Sequence, residues 1–445
     1  MNQLIAPHLL FGLDPMWVSL AVLALTYVFI VVGPFNHAIV ALIAAVVVVI
    51  IGLVDQSEAT RGIDWNTIGL LAGMMILVSI SRRSGLFQYV AVASAQQVRA
   101  NPAGILLMLQ LATALLSAVL NNVSTVLLMV PVTLVIAEEL ELPRFPFLFA
   151  EVFAANIGGT ATLIGDPPNI LIGTQAGLDF NAFLLHAAPA ALMVLCVQMA
   201  LVHLIWGRSL HASKERQVLV MGMNAPGMVT DWPLLRRSVA VLAAVLAAFV
   251  FAGPLRLEPA TIALAGAAVL MLLDNMRGRG GRQADHVHAT FADIEWATIF
   301  FFIGLFVVVH AVETSGFLTL VGGKLVTLTG GHLMAAATII LWVSAILSAV
   351  IDNIPFVATM IPLIKDMAPA FGGPNAIEPL WWSLSLGACL GGNGTLTGAS
   401  ANLAVAGIAA RNGIRFGFMR YLAYGAPLTL VSIAICQLYV WLRYF

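Results

Sequence analysis

The sequence predicts an all-α polytopic membrane protein made of two inverted repeats. Each repeat is expected to contain five transmembrane helices, one of them broken, and a re-entrant helical hairpin, which gives about 10 transmembrane helices in total. Three features of the sequence predict this fold class. They are a series of long apolar runs, a duplication of the chain, and a glycine-rich interruption in each half.

Apolar residues dominate the composition. Of the 445 residues, 61% are hydrophobic and 9% are charged, whereas a soluble domain carries about 25% charged residues. The mean hydropathy is +0.99. A helix that crosses a bilayer needs about 20 apolar residues, and runs of this length recur at 17–33, 36–54, 182–206, 234–252 and 418–442. The N-terminus has no basic region before its first apolar run, so we expect no cleavable signal peptide.

Charge and cysteine content exclude several other classes. The formal net charge is −1, which disfavours a nucleic-acid partner. Cys196, Cys389 and Cys436 are scattered along the chain, so they predict neither a disulfide framework nor a zinc site. We therefore expect no metal and no cofactor.

The second half of the chain repeats the first. The segment 64–87 matches 295–318 at an offset of 231 residues, and the same offset pairs Asn121-Asn122 with Asp352-Asn353. Agreement at one register over most of a chain indicates a duplicated fold. The duplication predicts four segments: a short extracytoplasmic N-terminus (1–16), repeat 1 (17–206, with hairpin 103–137 and broken helix 146–178), a cytoplasmic linker (207–233), and repeat 2 (234–445, with hairpin 333–369 and broken helix 381–412).

Five crossings in each repeat would invert the second repeat relative to the first. With both termini outside the cytoplasm, this topology places fifteen Lys and Arg residues in cytoplasmic segments and five on the far side. Such a bias agrees with the positive-inside rule. We therefore expect a multi-pass protein of the cell inner membrane with both termini extracytoplasmic.

The broken helices predict a binding site. The stretch "NIGGTATLIGDPPNI" (156–170) matches "CLGGNGTLTGASANL" (389–403) after a slip of two residues. Backbone can be irregular at membrane depth only where it is buried in protein or lines a polar cavity. Unwinding there exposes carbonyl groups and helix termini, and the hairpin tips bring further polar groups to the same depth. The candidate binding residues are Asn121, Asn122, Ser124, Thr125, Gly158, Gly159, Thr160, Thr162, Asp166, Asn169, Asp352, Asn353, Gly391, Gly392, Asn393, Thr395, Thr397 and Asn402.

The same motifs carry a family resemblance. "NNVSTVLLMVPV" (121–132), the break at 156–170 and "GGNGTLTGASANL" (391–403) resemble the ion transporter superfamily, in the branch of the arsenite permeases and the P protein. The resemblance covers nearly the whole chain. It implies a secondary carrier whose transport domain moves like an elevator against a scaffold, often as a homodimer. Arsenite pumps in this branch imply a soluble ATPase as a further partner.

The hairpin tips depart from the carboxylate symporters of the superfamily, which favour Ser-Asn-Thr at both tips. Here the tips read Asn-Asn-Val and Asp-Asn-Ile, and no Lys or Arg lies near a tip or a break. A carrier of anions must offset their buried charge. Neutral polar groups with two aspartates fit a cation or an uncharged polyhydroxyl such as arsenous acid better, and the resemblance to the arsenite permeases implies efflux of arsenite, and of antimonite, coupled to proton influx. A sodium/proton antiporter is the next alternative, followed by a carrier of carboxylates or inorganic anions. Cys389 is the one thiol close enough to a break to contact arsenic.

Other classes fit the sequence less well. An intramembrane aspartyl protease needs Gly-x-Gly-Asp, and Leu163 replaces its first glycine, so we expect no enzyme. A channel would conduct without coupled proton flux.

Intramembrane acids mark functional sites, and each repeat places one at its site. We expect Asp352 to be the main proton carrier, with Asp166 in support or as a cap of the restarting helix. Glu151, five residues before Asn156, could face either the site or the interface.

Overall fold

A computed structural model describes residues 12–255, 257–276 and 281–445. Most of the N-terminal segment 1–16 therefore lies outside the described residues. Within the described ranges the chain forms α-helices joined by turns and short 3-10 segments, without a β-strand. The predicted all-α fold class is confirmed.

Repeat 1 contains the first eleven helices. Its two hairpin arms are α6 and α7, and its broken helix consists of α8 and α9. The helices are α1 (Pro15–Val32), α2 (His37–Ile50), α3 (Gln56–Arg61), α4 (Trp65–Arg82), α5 (Leu86–Gln97), α6 (Pro102–Val119), α7 (Asn122–Glu139), α8 (Arg144–Thr160), α9 (Pro167–Ala176), α10 (Phe180–His186) and α11 (Ala188–Trp206).

The linker forms one helix, α12, and repeat 2 contains the rest. Arms α19 and α20 form the second hairpin, and α21 and α22 form the second broken helix. The helices are α12 (Lys214–Met221), α13 (Trp232–Val250), α14 (Ala252–Leu255), α15 (Pro259–Asn275), α16 (Gly281–Ala292), α17 (Trp296–Thr314), α18 (Phe317–Leu328), α19 (Leu333–Val350), α20 (Asn353–Met367), α21 (Glu378–Gly391), α22 (Ser400–Arg411) and α23 (Phe418–Tyr444).

Ten helices within the described ranges are long and apolar enough to cross a membrane. They are not the same ten that the repeat predicts, because this set includes all four hairpin arms. It omits α2, α15 and the two broken helices, whose separate pieces are shorter than 18 residues. A broken helix crosses the bilayer as two short pieces, so length alone does not recognise it.

The helices pack into two groups. The inner group contains both hairpins, both broken helices, α11 and α23, and each broken helix packs against the hairpin of its own repeat. The outer group contains α1, α2, α4, α13, α15 and α17, in which α4 packs on α15 and α2 packs on α17. The candidate binding residues all belong to the inner group.

Candidate functional site

Each broken helix is interrupted for a few residues at the tip of a hairpin. In repeat 1 the interruption runs from Ala161 to Asp166, between α8 and α9. In repeat 2 a 3-10 turn (Gly392–Gly394) follows α21, and α22 begins at Ser400. Pro167 and Pro168 occupy the first turn of α9, where the missing N–H groups are tolerated.

In each interruption, one asparagine side chain donates hydrogen bonds to the free backbone carbonyls. The Asn169 amide donates hydrogen bonds to the carbonyls of Thr160 (3.1 Å) and Thr162 (3.0 Å). Its equivalent Asn402 donates to the carbonyls of Gly392 (2.8 Å) and Thr395 (2.9 Å). Unwinding was expected to expose carbonyl groups here, but the asparagine side chains already satisfy these four.

Hydroxyl groups join each break to its hairpin in the same way in both repeats. Ser117 donates to the Ala155 carbonyl and Ser348 to the Ala388 carbonyl, both at 2.6 Å. The hydroxyls of the two break threonines, Thr162 and Thr395, donate to hairpin carbonyls, those of Ala118 and Ala349. These contacts hold the hairpin tips at the depth of the breaks.

The backbone contacts shared by the two repeats also explain glycines of the breaks, which were predicted to lie in unwound backbone. Gly158 and Gly159 lie in the last turn of α8 rather than in unwound backbone. A Cβ atom at Gly158 would collide with the Ala114 carbonyl of α6, and one at Gly391 would lie 2.5 Å from Ala345 Cα of α19. Gly158 and Gly391 are required because the backbones of helix and hairpin touch there, not because the chain unwinds at them.

Asn156, which is not among the predicted binding residues, lies at the centre of the site. The fully buried Asn156 amide donates to the side-chain oxygens of Asn393 (2.8 Å) and Asn402 (2.9 Å), and its own oxygen accepts from Asn122 (3.0 Å). Asn156 thereby joins the first hairpin tip to both breaks. A polar residue inside the apolar α8 was the available signal, and its repeat partner is Cys389.

Asp166 is the acid most deeply placed in the site. Its side chain is 1% exposed. Asn122, Asn353 and Cys389 approach its carboxylate, and the charge of Asp352 is close enough to act on it. Neither carboxylate oxygen makes a hydrogen bond of ordinary geometry to any described residue.

Asp352 has a more ordinary environment. It is half-buried and caps α20 by accepting a hydrogen bond from the Ile354 amide at 3.1 Å. Its equivalent Asn121 caps α7 in the same manner, accepting from Ser124 at 2.7 Å. The cap expected at Asp166 is absent. The first two residues of α9 are prolines and have no N–H to donate, and the N–H of the third, Asn169, donates to the backbone carbonyl of Asp166 instead (3.0 Å).

The remaining candidates divide into two sets. Thr125 donates to the Asn121 carbonyl, and Cys389 lies 3.3 Å from the Asn169 side-chain oxygen, so both belong to the network. The structure does not bring Thr397 into it: this residue is exposed, and its hydroxyl contacts that of Thr395. Among the described residues, no Lys or Arg hydrogen-bonds to a tip or break side chain. Lys365 donates to Gln175 at 2.9 Å, and Arg144 pairs with Glu138.

Two small clefts lie between the inner and outer groups, and the repeat relates them. The first, of about 60 Å³, reaches Ser124 and is lined by α4, α7 and the start of α17. The second, of about 50 Å³, is lined by α9, α17 and α20. Ser79, Arg82 and Leu127 of the first correspond to His310, Glu313 and Ala358 of the second.

Comparison with known proteins agrees with this architecture. The model of the CitMHS family, described as a citrate transporter, matches residues 27–387. An uncharacterized transporter of Mycobacterium tuberculosis is 40% identical over 432 residues, covering 96% of this chain and 98% of that protein. The human P protein is 32% identical over 508 residues, which cover 95% of this chain and 59% of the P protein.

Two solved structures share the fold. The YdaH transporter of Alcanivorax borkumensis superposes with a TM-score of 0.60 at 13% identity, covering 97% of this chain and 99% of that chain. MtrF of Neisseria gonorrhoeae, described with a class of antimetabolite efflux pumps, gives a TM-score of 0.57 at 13% identity and covers 97% of this chain and 95% of that one. The chain therefore belongs to the citrate transporter (CitMHS) family of the ion transporter superfamily and is a secondary transporter of the membrane.

Proposed function

We propose that this transporter exports arsenous acid, the neutral form of arsenite, and its antimony analogue in exchange for protons. The observation that supports this most is Asp166. It presents two unpaired acceptor oxygens in a buried site lined by amides, with no Lys or Arg bonded to the tip or break side chains within the described residues. A trihydroxy solute can donate to these oxygens and accept from Asn122 and Asn353 without needing a compensating charge.

Protons and solute would compete for the same carboxylate. When Asp166 is protonated its oxygens are no longer ionic acceptors, so a proton taken up from one side would favour release of the solute there. Asp352, which lies close to His37 at the start of α2, is the second acid of the site. In this proposal Asp166 is the main proton carrier, in place of the sequence-based choice of Asp352, because Asp352 already caps α20.

The two helix groups suggest how access alternates. The inner group would move as a unit against the outer group, and the two repeat-related clefts would be the routes to either side. We also propose that the protein lies in the cell inner membrane with both of its termini on the extracytoplasmic side.

Two other substrates remain to be tested against arsenite. Sodium is favoured by the proximity of Asp166 and Asp352, but the break carbonyls that would complete its coordination are occupied by Asn169 and Asn402. Citrate is the substrate in the family description. It would place several negative charges beside two aspartates to which no Lys or Arg is bonded among the described residues, which is costly in a buried site.

Everted membrane vesicles with an imposed pH gradient test the proposal directly. We expect uptake of arsenite that depends on the gradient and is lost in Asp166→Asn. Sodium uptake without arsenite uptake would favour the antiporter instead. Gradient-driven accumulation of citrate alone would contradict both.

A further inference from the structure

Glu151 is a fully buried acid that the proposed solute site does not use. It lies on α8, and its side chain is 0% exposed. One oxygen accepts a hydrogen bond from the Thr133 hydroxyl of α7 at 2.5 Å. The other oxygen has no partner among the described residues. Glu151 stands about 7.5 Å along α8 from Asn156, the centre of the site.

The second repeat shows that the fold does not need this acid. The positions equivalent to Glu151 and Thr133 are Leu384 and Ile364, and both are 0% exposed. An apolar pair therefore fills the same place between hairpin and broken helix in repeat 2. Packing alone gives no reason for a carboxyl group and a hydroxyl group in repeat 1.

The surroundings of Glu151 offer no counter-ion. The ionisable side chains on α8 and on the helices that contact it are Arg144 on α8 itself, Glu138 and Glu139 at the far end of α7, His203 and Cys196 on α11, Glu378 and Cys389 on α21, Arg411 on α22, and Arg420, Tyr421 and Tyr424 at the start of α23. None of them forms a hydrogen bond or an ion pair with Glu151 in the described part of the chain. An ionised carboxylate without a partner is expensive to bury, whereas a protonated one is neutral and keeps its bond to Thr133.

We propose that Glu151 is a second proton-binding residue of the carrier, separate from the solute site. A proton from water forms an O–H bond at the unpaired oxygen when the contact between α7 and α8 opens to one side of the membrane. It returns to water when that contact opens to the other side. Two protons are then exchanged for each solute, one on Asp166 and one on Glu151. This inference rests on the proposed proton coupling, but the binding of the proton to Glu151 can be measured without any solute.

Infrared titration of the purified full-length protein in nanodiscs tests the binding step. We expect a carboxyl band that disappears at high pH in the wild type and in Asp166→Asn, and that is missing in Glu151→Gln. The double variant T133I/E151L copies repeat 2 and is expected to keep the thermal midpoint of the wild type while lacking the band. An unchanged set of carboxyl bands in Glu151→Gln overturns the proposal.

The ratio of protons to solute tests the role in transport. With the membrane potential clamped to zero, a tenfold proton gradient sustains about a hundredfold gradient of a neutral solute if two protons are coupled, and about a tenfold gradient if one is. We expect arsenite gradients of the first kind in the wild type and of the second kind in Glu151→Gln. Equal gradients in both would show that Glu151 is a structural acid. If the wild type moves no arsenite, the proposed substrate is wrong, and the infrared band still decides whether Glu151 binds a proton.

Discussion

The two repeats share the groups that build the breaks and differ in the polar groups to which we assign the transport chemistry. In both, a serine of the hairpin and a threonine of the break donate the hydrogen bonds that join hairpin and broken helix. An asparagine satisfies the break carbonyls, and a glycine lets the backbones of helix and hairpin touch. At the differing positions repeat 1 has Asp166, Asn156 and Glu151. Repeat 2 has Ala399, Cys389 and Leu384 in their places.

This difference separates fold from function within one chain. A residue present in both repeats is explained by the shared backbone geometry. A polar residue present in one repeat only cannot be required by that geometry, because the other repeat folds without it. Repeat 2 therefore serves as an internal control for each substitution in repeat 1.

The largest effect is expected at the shared asparagines. Asn169→Ala and Asn402→Ala each leave two buried carbonyls without a donor, at about 1–3 kcal/mol per group. We expect both variants to lose about 4 kcal/mol of stability, seen as a lower thermal midpoint of the purified protein. Asn412→Ala, at the exposed end of α22, is the control. A midpoint for Asn169→Ala or Asn402→Ala no lower than that of the control would refute the role of the pair.

The next largest effect is expected on transport, and it should be greater at Asp166 than at Asp352. Asp166→Asn should lower proton-driven transport about 100-fold, since a hydrogen bond to a charged group contributes about 1.5–3 kcal/mol, with an unchanged thermal midpoint. Asp352→Asn should cost tenfold or less, because Asn121 makes the same cap in repeat 1. Initial rates in vesicles measure both. The reverse order of losses would return the main proton site to Asp352.

A smaller effect is expected at a contact between the two helix groups that has no counterpart at the equivalent position of repeat 2. Asp64, at the start of α4, accepts from Thr174 (2.7 Å) and Gln175 (2.8 Å) on α9. Its equivalent Glu295 accepts only from Thr298 of its own helix within the described residues. Asp64→Asn should therefore open the cleft at Ala358 and raise thiol labelling of Ala358→Cys about fivefold, equivalent to about 1 kcal/mol.

Glu295→Gln is the matched control for that measurement and should leave the labelling unchanged. Equal labelling in the Asp64 and Glu295 variants would mean that Asp64 only caps α4.

The smallest effect is expected at Cys389. A serine there can still donate to Asn169, so Cys389→Ser should change arsenite transport by less than about fivefold, or 1 kcal/mol. Cys196→Ser, at an exposed thiol, provides the comparison. A loss confined to Cys389→Ser and far above this limit would identify the thiol as an arsenic ligand.

Much of the fold was predictable because its signals are local. Apolar runs marked the crossing helices: the runs 17–33 and 234–252 differ by one or two residues at each end from α1 (Pro15–Val32) and α13 (Trp232–Val250). Glycines and prolines marked the interruptions, since these residues disfavour helix interiors. The resemblance of the motifs to the ion transporter superfamily was confirmed by the family match.

The site was predictable only as a set of polar residues. Asn156 was overlooked because its three partners come from segments distant in the chain: Asn122 from the first hairpin, and Asn393 and Asn402 from the broken helix of repeat 2. The glycines were assigned to unwinding because sequence does not show that a hairpin backbone lies against them.

The sequence by itself determined the duplication, the crossing helices and the depth at which polar groups collect, because periodicity and apolar length are properties of neighbouring residues. Only the tertiary structure decided which polar groups are satisfied. Asp352 is bonded as a cap, whereas Asp166 and one oxygen of Glu151 are left unpaired. The physical reason is that a hydrogen-bond partner in the membrane must come from protein, and here the partners are supplied by segments that meet only when the repeats are packed together.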